Sequence, residues 1–391
     1  MSHSLIVIPE KVYYDVLISN LNSQDVVAPV AYYNETRNTP FLQQPELYYM
    51  SIIRFSLDST TLPVFRPVIQ ANSTNVNKTI YSITLQYSPN NVRYFESQQF
   101  IIYAPQNVVA TVPSAPAFNP KKVQNNNTAY YDIYSYQYFI FLINNTFTTA
   151  YADLNAKVIA GGFPAIGAHA PIMTFDTSSS IAILNSQYPY YSQATAHPVN
   201  IFFNPSLIQL FSSFPATLQS YTDDTGKNYQ IETDTFGGSS ILQAFPTSAA
   251  PWAGGAIQTI QEYSTVANWT PISAIVFTSN TLPIVPNQVG EPEIIVDGIS
   301  FNTGGNNANI AQIITDFISD SGIYKPNIVY QPSAQYRYIE MLGNRPVYNL
   351  DVGVFYRDRM GEMFPVRLAA GSTITIKFLF TLKSSLGNYK N

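Results

Sequence analysis

Between Tyr324 and Lys383 the chain places four apolar or aromatic runs almost end to end: Ile328–Tyr330, Tyr336–Met341, Val347–Tyr356 and Ile374–Phe380. Pro332, Gly343–Asn344, Met360–Gly361 and Gly371 separate them, and these residue types make turns. The last run alternates, with Ile374, Ile376, Phe378 and Phe380 on one face and Thr375 and Lys377 on the other. A period of two is what a half-buried antiparallel strand requires. The segment predicts consecutive strands of a sheet. It carries no catalytic constellation, which points to a structural or binding role.

The rest of the chain supports a mainly β protein. With 391 residues it suits one large β domain with an insertion, or two to three domains. Leu47–Leu57 is apolar on both faces and predicts a strand inside a sheet rather than at its edge. In Ile80–Tyr87 the side chains Tyr81, Ile83, Leu85 and Tyr87 alternate with Ser82, Thr84 and Gln86. Residues 1–44 mix short apolar pieces with Asn, Gln and Pro, and read as an extended arm that packs on something else. A proline- and asparagine-rich stretch over 105–130 marks a long loop or a boundary.

Beyond it the period changes. Ile140, Ile143, Phe147, Tyr151, Leu154 and Val158 form a helical stripe that should end before Gly161–Gly162. Ile172–Phe175 and Ile181–Leu184 predict a hairpin, and Val199–Phe203 a strand. Asn204–Pro205 then reads as an N-cap and first helical position, with Pro215 as the stop. Ile272–Phe277 and Leu282–Val285 read as strands, whereas Ile310, Ile313, Ile314, Phe317 and Ile318 suggest a short helix. Short antiparallel strands between turns argue a β-sandwich or jelly roll, and the mixed middle argues an inserted domain or long loops.

Composition bears on surface and partners. Charged residues are 11%, against about 25% in ordinary soluble domains. The chain instead holds 29 Tyr and 24 Phe. A surface so poor in charge and so rich in tyrosine suits burial against neighbours. An AT-rich genome would raise Ile, Asn, Tyr and Phe too, but it would also raise Lys, and Lys plus Arg number only 19. The net charge of −5 and the lack of a long basic run exclude wholesale wrapping of nucleic acid. The absence of cysteine excludes a disulfide scaffold, a cysteine zinc site and a thiol nucleophile. Met1–Lys11 lacks the pattern of a signal peptide, and no apolar run approaches the roughly 20 residues of a membrane span.

The residues that could carry chemistry are few. His3, His169 and His197 have no metal-ligand spacing. There is no Gly-x-Ser-x-Gly elbow, no phosphate-binding glycine loop and no dinucleotide fingerprint. Asp223 and Asp224 with Glu232 and Asp234 offer carboxylates suited to Ca²⁺, without the spacing of an EF-hand, and a solvated hairpin tip is the simpler reading. Arg337, Arg345, Arg357, Arg359, Arg367, Lys377 and Lys383 give the C-terminus a local basic excess that could face nucleic acid. Alternate charges on a solvated strand face explain it more simply. Paired carboxylates, or Tyr, Trp252 and Trp269 as stacking platforms, would suit a carbohydrate-active sandwich. No catalytic, cofactor-binding or metal-binding residue is assigned, and no cofactor is expected.

Several stretches carry a family resemblance. They are Pro45–Phe55, Leu62–Phe65, Trp269–Phe277 with Leu282–Val285, Tyr336–Arg337, Asp351–Gly361, Pro365 and the closing Ile376–Phe380. Together they resemble the penton, or minor capsid, proteins of virophages of the Sputnik kind and of related polinton-like viruses. The resemblance implies a single jelly-roll β-sandwich standing at an icosahedral five-fold vertex. Five copies would form a homopentamer among trimers of a major capsid protein, in a virion assembled in the host cytoplasm. It implies an arm over 1–44, a discontinuous jelly roll over 45–104 and 266–385, and an inserted, outward-projecting mixed β/α region over 105–265. That inserted region could meet a host-cell surface or a glycan. The arm is expected to reach under neighbouring capsomers and to be dispensable for folding. No enzymatic step is implied. The alternatives are another capsid or attachment-spike subunit, and a carbohydrate-binding or carbohydrate-cleaving β-sandwich.

Overall fold

The computed structural model describes residues 8–21, 28–70, 73–106, 114–118, 129–221, 225–233, 242–243, 255–285, 293–296, 299–302, 312–318, 327–331, 337–359 and 361–386. The chain divides into two compact units: Met1–Leu62 with Pro271–Asn391, and Pro63–Val108 with Val112–Thr270. The first unit opens with β1 (Lys11–Ser19), β2 (Tyr32–Thr36) and β3 (Tyr48–Asp58). The second holds β4 (Lys78–Tyr87), β5 (Phe95–Ile102), α1 (Tyr136–Ala160), β6 (Ile172–Asp176), β7 (Ile181–Gln187), β8 (Val199–Phe203), α2 (Pro205–Leu210), β9 (Ala216–Leu218), β10 (Tyr229–Ile231), β11 (Leu242–Gln243) and β12 (Ala256–Ile260). The chain then returns to the first unit with β13 (Ile272–Ser279), β14 (Glu293–Val296), β15 (Ile299–Asn302), β16 (Gln312–Phe317), β17 (Asn327–Tyr330), β18 (Ile339–Glu340), β19 (Asn349–Asp358), β20 (Met363–Pro365) and β21 (Thr373–Leu382). The protein is mainly β, as expected.

The first unit contains two larger antiparallel sheets. One has the order β1-β21-β3-β17, with β18 also on β3; the other has the order β16-β13-β19-β2, with β20 on β19. Both feed one core. The alternating Ile374, Ile376, Phe378 and Phe380 of β21 meet Phe277 of β13, Phe317 of β16 and Val352 and Val354 of β19 there. The Phe55 ring of β3 lies 5.1 Å from Phe277 and 4.9 Å from Phe317. As its sequence requires, β3 is internal to its sheet.

Three expectations are corrected here. The C-terminal runs do not line up in one sheet: β17, β18 and β21 share the first sheet, and β19 lies in the second. A period of two says which face is buried, not which strand is the partner. Within 1–44, expected to form an arm, the described segments Lys11–Ser19 and Tyr32–Thr36 are strands of the two sheets; residues 1–7 and 22–27 lie outside the described residues. β1 pairs with β21 from Lys11↔Thr381 to Ser19↔Thr373, and β2 pairs with β19. Tyr14, Val16 and Ile18 enter the core. Finally, 312–317 is strand β16, paired with β13, rather than a helix; Ile310 lies outside the described residues. Short apolar runs fit either period, and here pairing with β13 decides the outcome.

The second unit also starts earlier than 105 and ends later than 265. β4 and β5 belong to it, because β4 pairs with β5 and β8, and its inward Tyr81, Ile83 and Leu85 join the α1 side chains in one core. Its sheets run β5-β4-β8-β10-β9 and β11-β12-β7-β6. α1 buries the predicted stripe through Ile140, Ile143, Phe147, Leu154 and Val158, and begins one turn before it, at Tyr136. The Asn204 side chain accepts from the Leu207 amide at 3.1 Å and caps α2 with Pro205 in the first turn. α2 stops at Leu210, short of the expected Pro215. Trp269 closes this core: its indole N–H donates to the Leu210 carbonyl at 2.7 Å, and Phe65, Phe139 and Phe211 surround the ring.

Candidate functional site

The residues singled out for chemistry do not assemble. His3 lies outside the described residues. His169 engages through its backbone, the amide donating to Gln187 and the carbonyl accepting from the Tyr191 hydroxyl. Asp223, Asp224, Asp234 and Trp252 also lie outside the described residues. Glu232 accepts from the Thr217 hydroxyl across the β9–β10 pair. Next to it, Thr225–Lys227 folds over the polar face of β4 and β5: Thr84 donates to the Thr225 carbonyl at 2.8 Å, and Lys227 bridges Glu96 at 2.6 Å. Gly226, with φ +73, has no room for a side chain, since a Cβ there would meet Gln98, Thr84 and Ser82 at 2.6–3.0 Å. Among the described residues, no three His, Cys, Asp or Glu side chains group closely enough to hold a metal ion.

The C-terminal basic residues are largely held inside their own unit. Arg337 and Arg357 converge on Asp316 at 3.1 and 3.4 Å. Lys377 reaches Asp15 at 3.4 Å, and Lys383 reaches Glu340 at 2.8 Å. Arg367 donates to the Ala28 carbonyl at 2.8 Å. This is the alternate-charge surface of a sheet, and it leaves little free charge for phosphate.

What the fold does present is a pair of unlike flanks on the first unit. On one, β1 and β2 are the outermost strands of their sheets among the described residues, joined where the Tyr14 hydroxyl donates to Glu35 at 2.7 Å. The Tyr33 hydroxyl and the Arg37 guanidinium also donate to Glu35, and these bonds hold its carboxyl down at about 2. β1 turns Tyr13 (54% exposed) and Leu17 (61%) to solvent between Lys11, Asp15 and Ser19. On the opposite flank β16 and β17 are outermost among the described residues, with the Phe317 and Tyr330 rings 4.2 Å apart. Ile318 (79%) and Val329 (64%) are exposed there. Open strand edges with exposed apolar side chains are places where another chain docks. Sequence reasoning missed these residues. The alternation of Tyr13 and Leu17 against Tyr14, Val16 and Ile18 is a period-two signal that could have placed β1 in the sheet.

One buried carboxylate fixes the end of the first unit. Asp351, fully buried in β19, accepts from the Ser279 and Thr281 hydroxyls, from the Asn280 and Thr281 amides at 2.9 and 3.0 Å, and from the Tyr32 hydroxyl at 3.1 Å. Burial alone would raise its pKa, but these donors outweigh burial and hold it below the ordinary value. The fold therefore favours the ionised form. That stabilisation is present above the unfolded carboxylate pKa of about 3.9 and is lost as pH falls through the lower folded value. Asp351→Asn is expected to lower stability by about 2 kcal/mol at pH 7. Thermal unfolding as a function of pH checks this: the gap to wild type should close below about pH 4, and a constant gap down to pH 3 would contradict the assignment.

Comparison with known proteins adds to this picture. A family model described as Sputnik minor capsid protein V18/19 matches residues 12–382. Structural protein V19 of Sputnik virophage is 28% identical over 218 residues, covering 55% of this chain and 95% of that protein. Uncharacterized protein V18 of the same virophage is 34% identical over 154 residues, covering 38% of this chain and 87% of that protein. The cryo-electron microscopy structure of the Sputnik virophage contains a chain with a TM-score of 0.76 and 28% identity, over 97% of this chain and 99% of that one. The crystal structure of the mavirus penton protein matches with a TM-score of 0.60 and 16% identity, over 95% and 99%.

Proposed function

The chain belongs to the Sputnik minor capsid protein V18/19 family, and from that premise we propose that five copies form the capsomer that closes each five-fold vertex of an icosahedral shell. As a member of that family it is a structural protein of a virophage capsid. The reading places its first unit upright in the shell as a single jelly roll. The observation that carries this is strand order. Among the described residues, leaving aside the β14–β15 hairpin and the short β18 and β20, eight strands of this unit remain, and numbered along the chain they lie 1-8-3-6 in one sheet and 2-7-4-5 in the other. That is how two Greek keys wrap a jelly roll. The fold shared with the mavirus penton protein supports the same reading.

A closed ring needs two different surfaces on each subunit, one for each neighbour. The β1/β2 and β16/β17 flanks are such a pair, and trimers of a major capsid protein would surround the ring. The second unit, inserted between β3 and β13, would project outward and be the part that meets a host-cell surface or glycan. Assembly would take place in the host cytoplasm. The mechanism is shape and burial, with no bond made or broken.

The flank assignment is tested with Leu17→Asp and Val329→Asp, each placing a charge on one flank only. Each variant alone should stay monomeric at concentrations where wild type forms rings. Mixed together they should form a heterodimer and stop there, because one good flank remains on each partner. Rings formed by either variant would overturn the assignment.

A further inference from the structure

We propose that the end of the second unit away from where its chain enters and leaves binds a neutral oligosaccharide, with Tyr94, Tyr188 and Tyr190 as stacking platforms. The chain enters this unit at Pro63 and finally leaves it at Thr270. Both points belong to the N-terminal end of α1: the Val64 amide donates to the Ile133 carbonyl at 2.8 Å, and Trp269 packs on Phe139 in the first turn of the helix. α1 has 25 residues, so its other end lies about 37 Å away. There the Arg93 guanidinium donates to the Gly161 carbonyl at 3.3 Å, which fixes the β4–β5 turn beside the helix C-terminus. Tyr87 pairs with both Phe95 and Val199, so the β7–β8 loop reaches the same end.

Tyr94, Tyr188 and Tyr190 are exposed there, on two loops that are fixed in advance. In the β4–β5 turn the Asn90 side chain accepts from the Val92 and Arg93 amides at 3.1 and 2.9 Å, and the Ser88 hydroxyl donates to the Arg93 carbonyl at 3.0 Å. In the β7–β8 loop the Val199 amide donates to the Tyr190 carbonyl at 2.9 Å, and the buried Tyr191 donates to the His169 carbonyl at 2.7 Å. The Tyr190 hydroxyl lies against Gly167, where a Cβ would come within 2.7 Å of it. Tyrosines displayed on fixed loops bind without the cost of ordering them.

Charge and spacing define the occupant. The charged side chains near this end are already engaged: Arg93 by the Gly161 carbonyl and the Phe95 ring, Lys157 by Asp153 at 2.7 Å, and Lys227 by Glu96 at 2.6 Å. A neutral ligand therefore suits it better than a sialylated or sulfated one. A sugar ring offers a C–H face to an aromatic ring and hydroxyls at its edge, and tyrosine matches both with its apolar body and polar tip. Exposed Asn90, Asn91 and His169 add hydrogen-bonding groups. Counting across the sheet from β5 to β4, to β8 and to the segment bonded to Val199, the backbones at Tyr94 and Tyr190 lie three strand spacings apart, roughly 14 Å. Platforms so separated call for an oligosaccharide rather than a single sugar.

This rests on the reading that the second unit meets the host surface, but the test needs only the isolated full-length chain, and its failure would leave the place in the shell untouched. An array of neutral, sialylated and sulfated oligosaccharides would be probed with wild type, Tyr94→Ala, Tyr190→Ala, Tyr190→Phe and Tyr263→Ala. Tyr263 is the control: it is 58% exposed, against 61% for Tyr94, and sits at the other end of the unit, where the Gln261 amide donates to Ala182 at the start of β7. Wild type is expected to bind neutral oligosaccharides. Tyr94→Ala and Tyr190→Ala should each weaken that binding about tenfold, as loss of one stacking contact implies. Tyr190→Phe should keep most of it, and Tyr263→Ala should match wild type. No glycan bound by wild type, binding confined to sialylated or sulfated glycans, or binding unchanged in both Tyr94→Ala and Tyr190→Ala would overturn the proposal. So would an equal loss in Tyr263→Ala.

Discussion

Deleting residues 1–20 will unfold the first unit rather than free it of an appendage. β1 is hydrogen-bonded to β21 along its 9 residues. It places Tyr14, Val16 and Ile18 in the core at 6%, 2% and 9% exposure. Burying side chains of this size contributes about 1.5–3 kcal/mol each. Three of them approach the whole stability of an ordinary domain, about 5–15 kcal/mol. The same deletion leaves β21 with an open edge and removes the Asn20 side chain, which donates to the Leu368 carbonyl at 2.9 Å. Limited proteolysis and urea unfolding of the truncated chain check this. The expected result is loss of the cooperative transition of the first unit and cleavage within it. A truncated chain with wild-type protease resistance would mean that β1 is dispensable, as an arm would be.

The second large effect is expected at Asp132→Ala. The Arg66 guanidinium donates to Asp132 at 2.8 Å, and the two side chains are only 7% and 1% exposed. The pair is flanked by backbone bonds between Val64–Phe65 and Ile133, at 2.8–3.2 Å, that tie the start of the second unit to the segment before α1. Removing the carboxylate strands a buried guanidinium, and such a change costs about 3–5 kcal/mol. Replacing the pair by Met and Leu should cost far less, because no charge is then left behind. Glu340→Ala, which breaks the exposed Lys383 pair, should cost less than about 1 kcal/mol. Urea midpoints of the three variants test the ranking. An Asp132→Ala protein within 1 kcal/mol of wild type would show that the pair is solvated.

Local structure was legible where one period ran unbroken. The stripe from Ile140 to Val158 and the Asn204–Pro205 start each carry their own periodicity or capping chemistry, and both formed as read. Partnership was not legible. The partner of β1 lies 354–370 positions further along the chain, from Ser19↔Thr373 to Lys11↔Thr381, and nothing within Lys11–Ser19 points to it. The same holds for β4, whose perfect alternation fits any sheet and which pairs with β8 in the second unit. Ile313 and Ile314 show the other limit. Both are buried, because β16 has the shared core on one face and the small cluster of Ala274 and Val276 on the other. A strand covered on both faces loses its alternation and reads as a helix. The flank residues Leu17, Ile318 and Val329 acquire meaning only from strand order, which sets the edges. The familiar stretches at Pro45–Phe55 and Asp351–Gly361 carried the family, yet they are packing segments and do not show where the units divide.

The central claim is position in the shell, and an icosahedral reconstruction of purified particles tests it most directly. With the structure fitted by its two units separately, the account predicts five copies around every five-fold axis, neighbours meeting through the β1/β2 and β16/β17 flanks. Density for this chain at three-fold capsomers, or away from the five-fold axes, would contradict it.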